Sequence, residues 1–290
     1  MAKIKAAKTN TTYGELKRGA AQILSNAGIE NPALDVRLLL GKASGKTSAE
    51  LIVCDRDIVS DTVQTEFHEL LGCRLAYEPI AYILGEKAFW SLDFNVDENV
   101  LIPRPETEGL VEQALALITA ISAPRILDIG TGSGAILISL LHERQSATGL
   151  GVDISPEALD MARVNAKQHS VGNRCQFIQS DYLESVTGKF DIIVSNPPYI
   201  DNKAMAALAP DVELYEPELA LHGGKDGLTA YRTIIAGVKD PLKPGGHLVF
   251  EIGFDQKKAV CDLLSEVGAS NITCKQDLAG LDRIVSATFC

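Results

Sequence analysis

From Pro124 onward the chain alternates between short apolar runs and helical stretches, and this pattern constrains its fold more than any other feature. RILDIG, GLGVDI, CQFIQSD and FDIIVSN each read as a buried strand. TGSGAILISLLHE follows the first as a glycine turn and helix; ALDMARVNAKQH follows the second, capped by Ser155-Pro156-Glu157. LTAYRTIIAGVKDPL is helical, GGHLVFEIG is the fifth strand, and FDQKKAVCDLLSEVG is the helix behind it. NITCKQD and DRIVSATF close the chain as two strands with no helix between them, a pattern that suits antiparallel pairing of the last. The class expected is α/β: a Rossmann-like, doubly wound, mostly parallel sheet.

The preceding residues read differently. Thr12-Tyr13-Gly14-Glu15 and Thr47-Ser48-Ala49-Glu50 fit capping boxes, and Asn31-Pro32 fits an N-cap followed by proline at the first helical position. Leu16, Ala20, Ile23 and Leu24 recur at helical spacing, as do Val63, Phe67, Leu70 and Leu71 between Thr62 and Leu75. Residues 1–85 are therefore expected to form a small helical domain, either holding a partner or serving as structure. WSLDFNV alternates apolar and polar, and a turn at Asp97-Glu98-Asn99 before VLIP predicts a β-hairpin there. Residues 86–107 become a hairpin linker, and 108–290 the α/β domain.

Composition excludes some classes. The 290 residues are 46% hydrophobic and 22% charged, as in globular proteins, and no apolar run approaches the ~20 residues of a membrane span. The start, MAKIKAAKTNTTYGEL, lacks the apolar core of a signal peptide. The six cysteines form no C-x-x-C and the five histidines lie far apart, so free thiols in a cytoplasmic protein without a metal are expected. The formal charge of −11 falls wholly on residues 91–290, while residues 1–90 balance to zero. Nucleic acid binding draws on cations that neutralise phosphates, so this distribution argues against a large nucleic-acid footprint.

Where the first strand meets the first helix stands Asp128-Ile129-Gly130-Thr131-Gly132-Ser133-Gly134-Ala135. Glycines allow a sharp turn and bring backbone N–H groups near a ligand. Asp153 ends the second strand, where a carboxylate can accept from ribose hydroxyls. Asp181-Tyr182 follows the third, placing an acceptor for an exocyclic amine beside a ring that can stack on adenine. The set describes a nucleoside cofactor at the carboxyl edge of the sheet. Because Gly130-x-Gly132-x-x-Ala135 also matches the loose dinucleotide fingerprint, an NAD-dependent dehydrogenase stands as a competitor.

Asn196-Pro197-Pro198-Tyr199 follows the fourth strand, which in such folds lies beside the first, at the switch point where ligands bind. A dehydrogenase has no need of this tetrapeptide; a methyltransferase acting on a planar nitrogen does. The lone pair of an amide or exocyclic amine is delocalised. Two acceptors holding its N–H groups, the Asn196 side chain and the Pro197 carbonyl, would align that lone pair with the sulfonium methyl of S-adenosylmethionine. The prolines hold the direction, and Tyr199 can lay its ring on the flat group. No strong general base is required before transfer.

The chain resembles the PrmC/HemK family, the bacterial protein-(glutamine-N5) methyltransferases. The resemblance runs through EPIAYILGEKAFWSLDFNV, LIPRPETE, RILDIGTGSGAI, SNPPYI, YEPELAL with GGKDGL, and LDRIV. It implies a class I S-adenosylmethionine-dependent fold and methylation of the glutamine in the Gly-Gly-Gln tip of class 1 peptide-chain release factors. It further implies that Gly130, Thr131, Gly132, Ser133 and Gly134 touch the cofactor through the backbone, that Asp153 holds the ribose, and that Tyr182, often tryptophan in relatives, stacks near adenine beside Asp181. Asn196 would meet both cofactor and substrate, with Asn196 to Tyr199 gripping the glutamine amide. Arg104 to Thr107 would either cover the methionine end of the cofactor or bridge the domains. The helical domain would hold the body of the release factor, and the enzyme would act as a monomer. N-P-P-Y also occurs in adenine-N6 DNA and guanine-N2 rRNA methyltransferases, so a base in DNA or rRNA is the alternative substrate.

Overall fold

Thr12 and Thr47 each accept a hydrogen bond from the N–H three residues ahead, while Glu15 and Glu50 reach back to the threonine N–H at 3.0 and 2.8 Å. These two capping boxes open helices Tyr13–Asn26 and Ser48–Val53. Asn31 occupies the cap position before helix Pro32–Ser44, but its side chain makes no capping bond, so the proline sets that start. Ser60 caps Asp61–Leu75, and Ile80–Leu84 follows. Leu24, Leu39, Leu40, Phe67 and Leu71 form the core between these helices, whereas Ile23 of the expected stripe is exposed. Asp35 and Arg74 pair inside at 2.7 Å, and Arg74 also donates to the Glu78 carbonyl.

The computed structural model describes residues 11–290, and these divide into two compact units. The first is the helical unit, which ends at Gly85 and takes in Pro210–Tyr215; there the Tyr215 hydroxyl donates to the Ala76 carbonyl at 2.9 Å. The second comprises Glu86–Ala209 and Glu216–Cys290.

The second unit opens with a hairpin of β1 (Glu86–Phe89) and β2 (Leu92–Asn95), paired antiparallel. Its turn is Trp90-Ser91, one strand earlier than the expected turn at 97–99, and VLIP lies outside the strands. Trp90 adopts φ 57° without the glycine or asparagine such a turn usually shows. Tertiary contacts hold it: the Trp90 N–H donates to Glu108 and its indole N–H to Glu143, both at 2.7 Å.

Seven strands build the main sheet: β3 (Arg125–Ile129), β4 (Thr148–Asp153), β5 (Cys175–Gln179), β6 (Phe190–Ser195), β7 (Leu242–Glu251), β8 (Ser270–Gln276) and β9 (Asp282–Phe289). Their order is β5-β4-β3-β6-β7-β9-β8. All pairs through β7 are parallel, and β9 runs antiparallel to both of its neighbours. The fold is the expected doubly wound, mostly parallel α/β sheet with its last strand antiparallel. Helices 108–117, 135–143 and 156–168 bury one face of the sheet, and 229–237 and 257–266 the other, giving two apolar layers. Because β4 and β6 both flank β3, chain connections leave β3 in opposite directions and open a crevice at its carboxyl end.

Candidate active site

Three glycines shape the turn after β3, each with φ between 55° and 82°. At Gly130 and Gly132 an added Cβ would meet nothing within 4 Å, and both line a cavity. At Gly134 a Cβ would lie 2.7 Å from Ile138 and 3.3 Å from Ala162, so that glycine serves the close approach of two helices.

Four N–H groups of the turn are taken within the protein. Gly130 and Thr131 both donate to the Val152 carbonyl, at 2.8 and 2.9 Å, and Gly134 donates to Thr131. Gly132 donates to Asp153 Oδ2 at 2.9 Å. The turn is therefore ill suited to cradle a pyrophosphate, which weakens the dehydrogenase reading. Thr131 is buried with its hydroxyl donating to Asp128 Oδ2 at 2.7 Å, and buried Ser133 accepts on its carbonyl from Asn165. Asp128 is fully buried, its Oδ1 has no partner, and burial pushes its carboxyl up to about 7.

Asp153 accepts from Gly132 and, through Oδ1, from Ser155 N–H at 3.1 Å. Burial raises its pKa, and these same N–H groups pull it down. Asp153, Asp181 and Tyr182 stand at successive strand ends around a cavity of about 330 Å³. Gly130, Gly132, Asn196 and Pro198 complete that side. Thr131, Ser133, Gly134, Pro197 and Tyr199 are not part of the lining.

Asn196 stands one residue beyond β6, and its Nδ2 donates to Thr107 Oγ1 at 3.3 Å. Its Oδ1 accepts no hydrogen bond among the described residues, so the oxygen is the end left for a ligand. Tyr199 is turned toward the end of β7: its hydroxyl lies 3.4 Å from Glu251 Oε1, and its carbonyl accepts from Gln256 at 3.0 Å. Burial, then the charge of Glu251, push the phenol up to about 12, which keeps its proton in place.

Two further segments close the cavity: Glu98 to Leu101, and Pro217 with Leu219, Ala220 and His222. Glu216 joins them. Its Oε1 pairs with Arg104 at 2.5 Å and its Oε2 accepts from the Ile102 N–H at 3.3 Å, with the glutamate side chain almost wholly buried. Arg104 is thus engaged within the second unit, and no residue of 104–107 lines the cavity.

Comparison with known proteins gives this geometry a family. The PrmC N-terminal domain model matches residues 15–85, and the methyltransferase small domain model matches 110–212. A release factor glutamine methyltransferase of Cereibacter sphaeroides is 44% identical over 270 residues, covering 93% of this chain and 96% of its own length. The chain belongs to the release factor glutamine methyltransferase family. A Caulobacter vibrioides member is 41% identical, over 90% of this chain and 91% of its own. Among solved structures, a methyltransferase from Pyrococcus furiosus shares the fold with TM-score 0.51 at 18% identity, covering 70% of this chain and 91% of that one.

Within the family frame, the residues that sequence reasoning missed are supporting ones. Glu216 lies in the YEPELAL run and Gly223 and Gly227 in GGKDGL, both recognisable as motifs but without assigned chemistry. A Cβ on Gly223 would come within 2.7 Å of both the Pro198 oxygen and the Tyr199 Cα, and one on Gly227 would strike the Tyr199 carbonyl. The loop therefore packs its bare backbone against the Asn-Pro-Pro-Tyr turn. Gln256 ties the two by donating to both the Tyr199 and Gly227 carbonyls.

Proposed function

We propose that this chain transfers a methyl group from S-adenosylmethionine to the side-chain amide nitrogen (N5) of the glutamine in the Gly-Gly-Gln tip of class 1 peptide-chain release factors. The observation that carries the reading is Asn196: it lines the cavity with its nitrogen taken by Thr107 and its oxygen left over.

The residues present fit the cofactor. The two glycines bordering the cavity leave space where a side chain would stand, Asp153 and Asp181 offer carboxylate oxygens, and Ile154, Leu101 and Leu219 give apolar walls. Asp153 would hold the ribose, Asp181 and Tyr182 the adenine, and the Gly130–Gly132 backbone the methionine end through its carbonyl and Cα faces. S-adenosylmethionine supplies an electrophilic methyl on a sulfonium.

The chain supplies orientation. Asn196 Oδ1 and the Pro197 carbonyl accept the two N–H groups of the glutamine amide and turn its lone pair toward the methyl. Alignment of this kind contributes ~7–11 kcal/mol of barrier reduction in good cases. As the nitrogen attacks, its N–H groups become more acidic, so both acceptors bind the transition state more strongly than the ground state. Tyr199, fixed through its hydroxyl and its carbonyl, keeps the turn in shape. The helical unit, residues 1–85, would hold the body of the release factor, in the cytoplasm.

The test is methyl transfer from labelled S-adenosylmethionine to an unmodified release factor, beside one with the Gly-Gly-Gln glutamine replaced. Label on the first alone, with the tip peptide heavier by one CH₂, supports the reading. Label on neither, with transfer to rRNA or DNA instead, would overturn it in favour of a base substrate.

A further inference from the structure

Gln256 stands at the cap position before helix Lys257–Glu266, but its side chain makes no capping bond. Serine, asparagine or aspartate would serve that helix better. The side chain reaches other segments instead. Its Nε2 donates to the Tyr199 carbonyl at 3.0 Å and to the Gly227 carbonyl at 3.1 Å. Its Oε1 accepts from the Gly253 N–H at 3.0 Å and meets the Tyr231 hydroxyl at 3.4 Å. Carbonyls only accept and a backbone N–H only donates, so a single orientation of the amide satisfies all three backbone groups.

The neighbouring glycines make room for it. A Cβ on Gly253 would stand 2.9 Å from Gln256 Oε1, and one on Gly227 would stand 2.6 Å from Nε2. Tyr231, fully buried, also donates to the Glu251 carbonyl at 3.0 Å, which fixes its ring to the end of β7.

The Asn-Pro-Pro-Tyr turn has few fastenings of its own. Pro197 and Pro198 carry no N–H, so the turn cannot be tied down by donors there. At one end it is anchored by β6 and by the bond from Asn196 Nδ2 to Thr107. Beyond the other end, Ile200 donates to the Leu221 carbonyl at 3.0 Å and accepts from the Gly223 N–H at 2.9 Å. The Tyr199 carbonyl lies between these anchors, and Gln256 holds it.

We propose that Gln256 is the positioning residue of this turn: by holding the Tyr199 carbonyl against the Gly227 loop, it fixes the direction of the Pro197 carbonyl. Both prolines lock φ near −65°, so the peptide planes between Asn196 and Tyr199 have little freedom once the two ends are held. Gln256 does not line the cavity. Its effect on methyl transfer rests on the proposed role of Asn196 and Pro197 as acceptors of the substrate amide.

One test needs no catalysis. Gln256→Met keeps the length of the side chain and removes the amide. Hydrogen exchange at the Ile200 and Gly223 N–H groups should quicken by about tenfold or more, with β3 and β4 protected as in wild type. Unchanged exchange at these two groups, or quickening throughout the sheet, overturns the proposal.

The second test is kinetic. Gln256→Met should lower kcat by about 10- to 100-fold, with cofactor affinity by calorimetric titration within about twofold of wild type. Gln256→Glu adds a pH readout. Its carboxylate would set an oxygen against two carbonyl oxygens, whereas the protonated form donates to one of them and restores part of the hold. Such surroundings raise the pKa of a carboxyl. The titratable and charged groups around it are Tyr199 and Tyr231, both kept protonated by burial, Glu251 at the end of β7 and Arg283 of β9. Asp226, held ionised by Arg232, precedes Gly227, and Asp255 and Lys257 flank residue 256 itself. Wild type shares all of these, so the ratio of variant to wild-type kcat isolates residue 256. That ratio should rise about tenfold as pH falls from about 8 to about 6. A flat ratio, wild-type kcat in Gln256→Met, or equal loss of cofactor affinity and turnover overturns the proposal. A wild type inactive on release factor, with the local exchange effect intact, would instead sink the substrate reading alone.

Discussion

On the proposed reading Asn196 meets the substrate and Asp153 the cofactor, and substitution should separate them. Asn196→Ala removes the proposed substrate acceptor and should lower kcat by about 100- to 1,000-fold with a milder effect on cofactor affinity, measured by turnover beside calorimetric titration. Asp153→Ala leaves the Gly132 and Ser155 N–H groups unpaired and should weaken cofactor binding first, by roughly tenfold or more. Asp128 answers to pH instead. Its folded pKa of about 7 lies above the usual value of 3.8, so between these two the folded state holds a proton that the unfolded state has lost. Stability therefore falls as pH rises through that window, by at most about 1.4 kcal/mol per pH unit from this group. Asp128→Asn should remove this contribution, so that the variant gains on wild type as pH rises from about 4 to about 7 in denaturant titrations.

Among the elements, Gly223 and Gly227 set the geometry of the Asn-Pro-Pro-Tyr turn without lining the cavity themselves. Gly223→Ala forces either the loop or the Pro198–Tyr199 backbone to move, since the new Cβ would stand 2.7 Å from both. Turnover should fall by at least tenfold while cofactor affinity changes little, because Asp153 and the glycine turn lie on other strands; kinetics and titration on one preparation decide it. In the helical unit the comparable feature is the Asp35–Arg74 pair. Its partners come from two helices and are both nearly buried, so Asp35→Ala strands a cation inside. The unit should lose roughly 3–5 kcal/mol of stability, read as a lower unfolding midpoint of its own amides by hydrogen exchange.

At the scale of the whole molecule, a bound cofactor should stabilise the fold by mass action. S-adenosylmethionine at one hundred times its dissociation constant should add about 2.7 kcal/mol to unfolding and raise the thermal midpoint, whereas NAD should not. A midpoint raised by NAD alone would restore the dehydrogenase reading. Much of the architecture was legible beforehand because it rests on local patterns. The period of apolar residues marked every strand of the sheet, the capping boxes marked two helix starts, and the glycine turn, Asp153, Asp181-Tyr182 and Asn196 fell at strand ends, where the α/β topology gathers them. The remainder depended on contacts distant in sequence. The hairpin turn at Trp90-Ser91 carries no turn residue and is held by Glu108 and Glu143. The N–H groups of Gly130, Thr131 and Gly132 are engaged by the neighbouring strand. Glu216 meets Arg104 across more than one hundred residues, and Glu251 reaches the catalytic turn only because β7 lies beside β6. The sequence alone determined which strand ends reach the crevice, since the alternation of apolar runs and helices marks those ends locally, whereas the full lining, with Glu98 to Leu101 and Pro217, Leu219 and Ala220 in it, was set by the folded chain. Which end of each polar group faces the crevice was decided only by tertiary structure, because a hydrogen bond has a direction that depends on its partner.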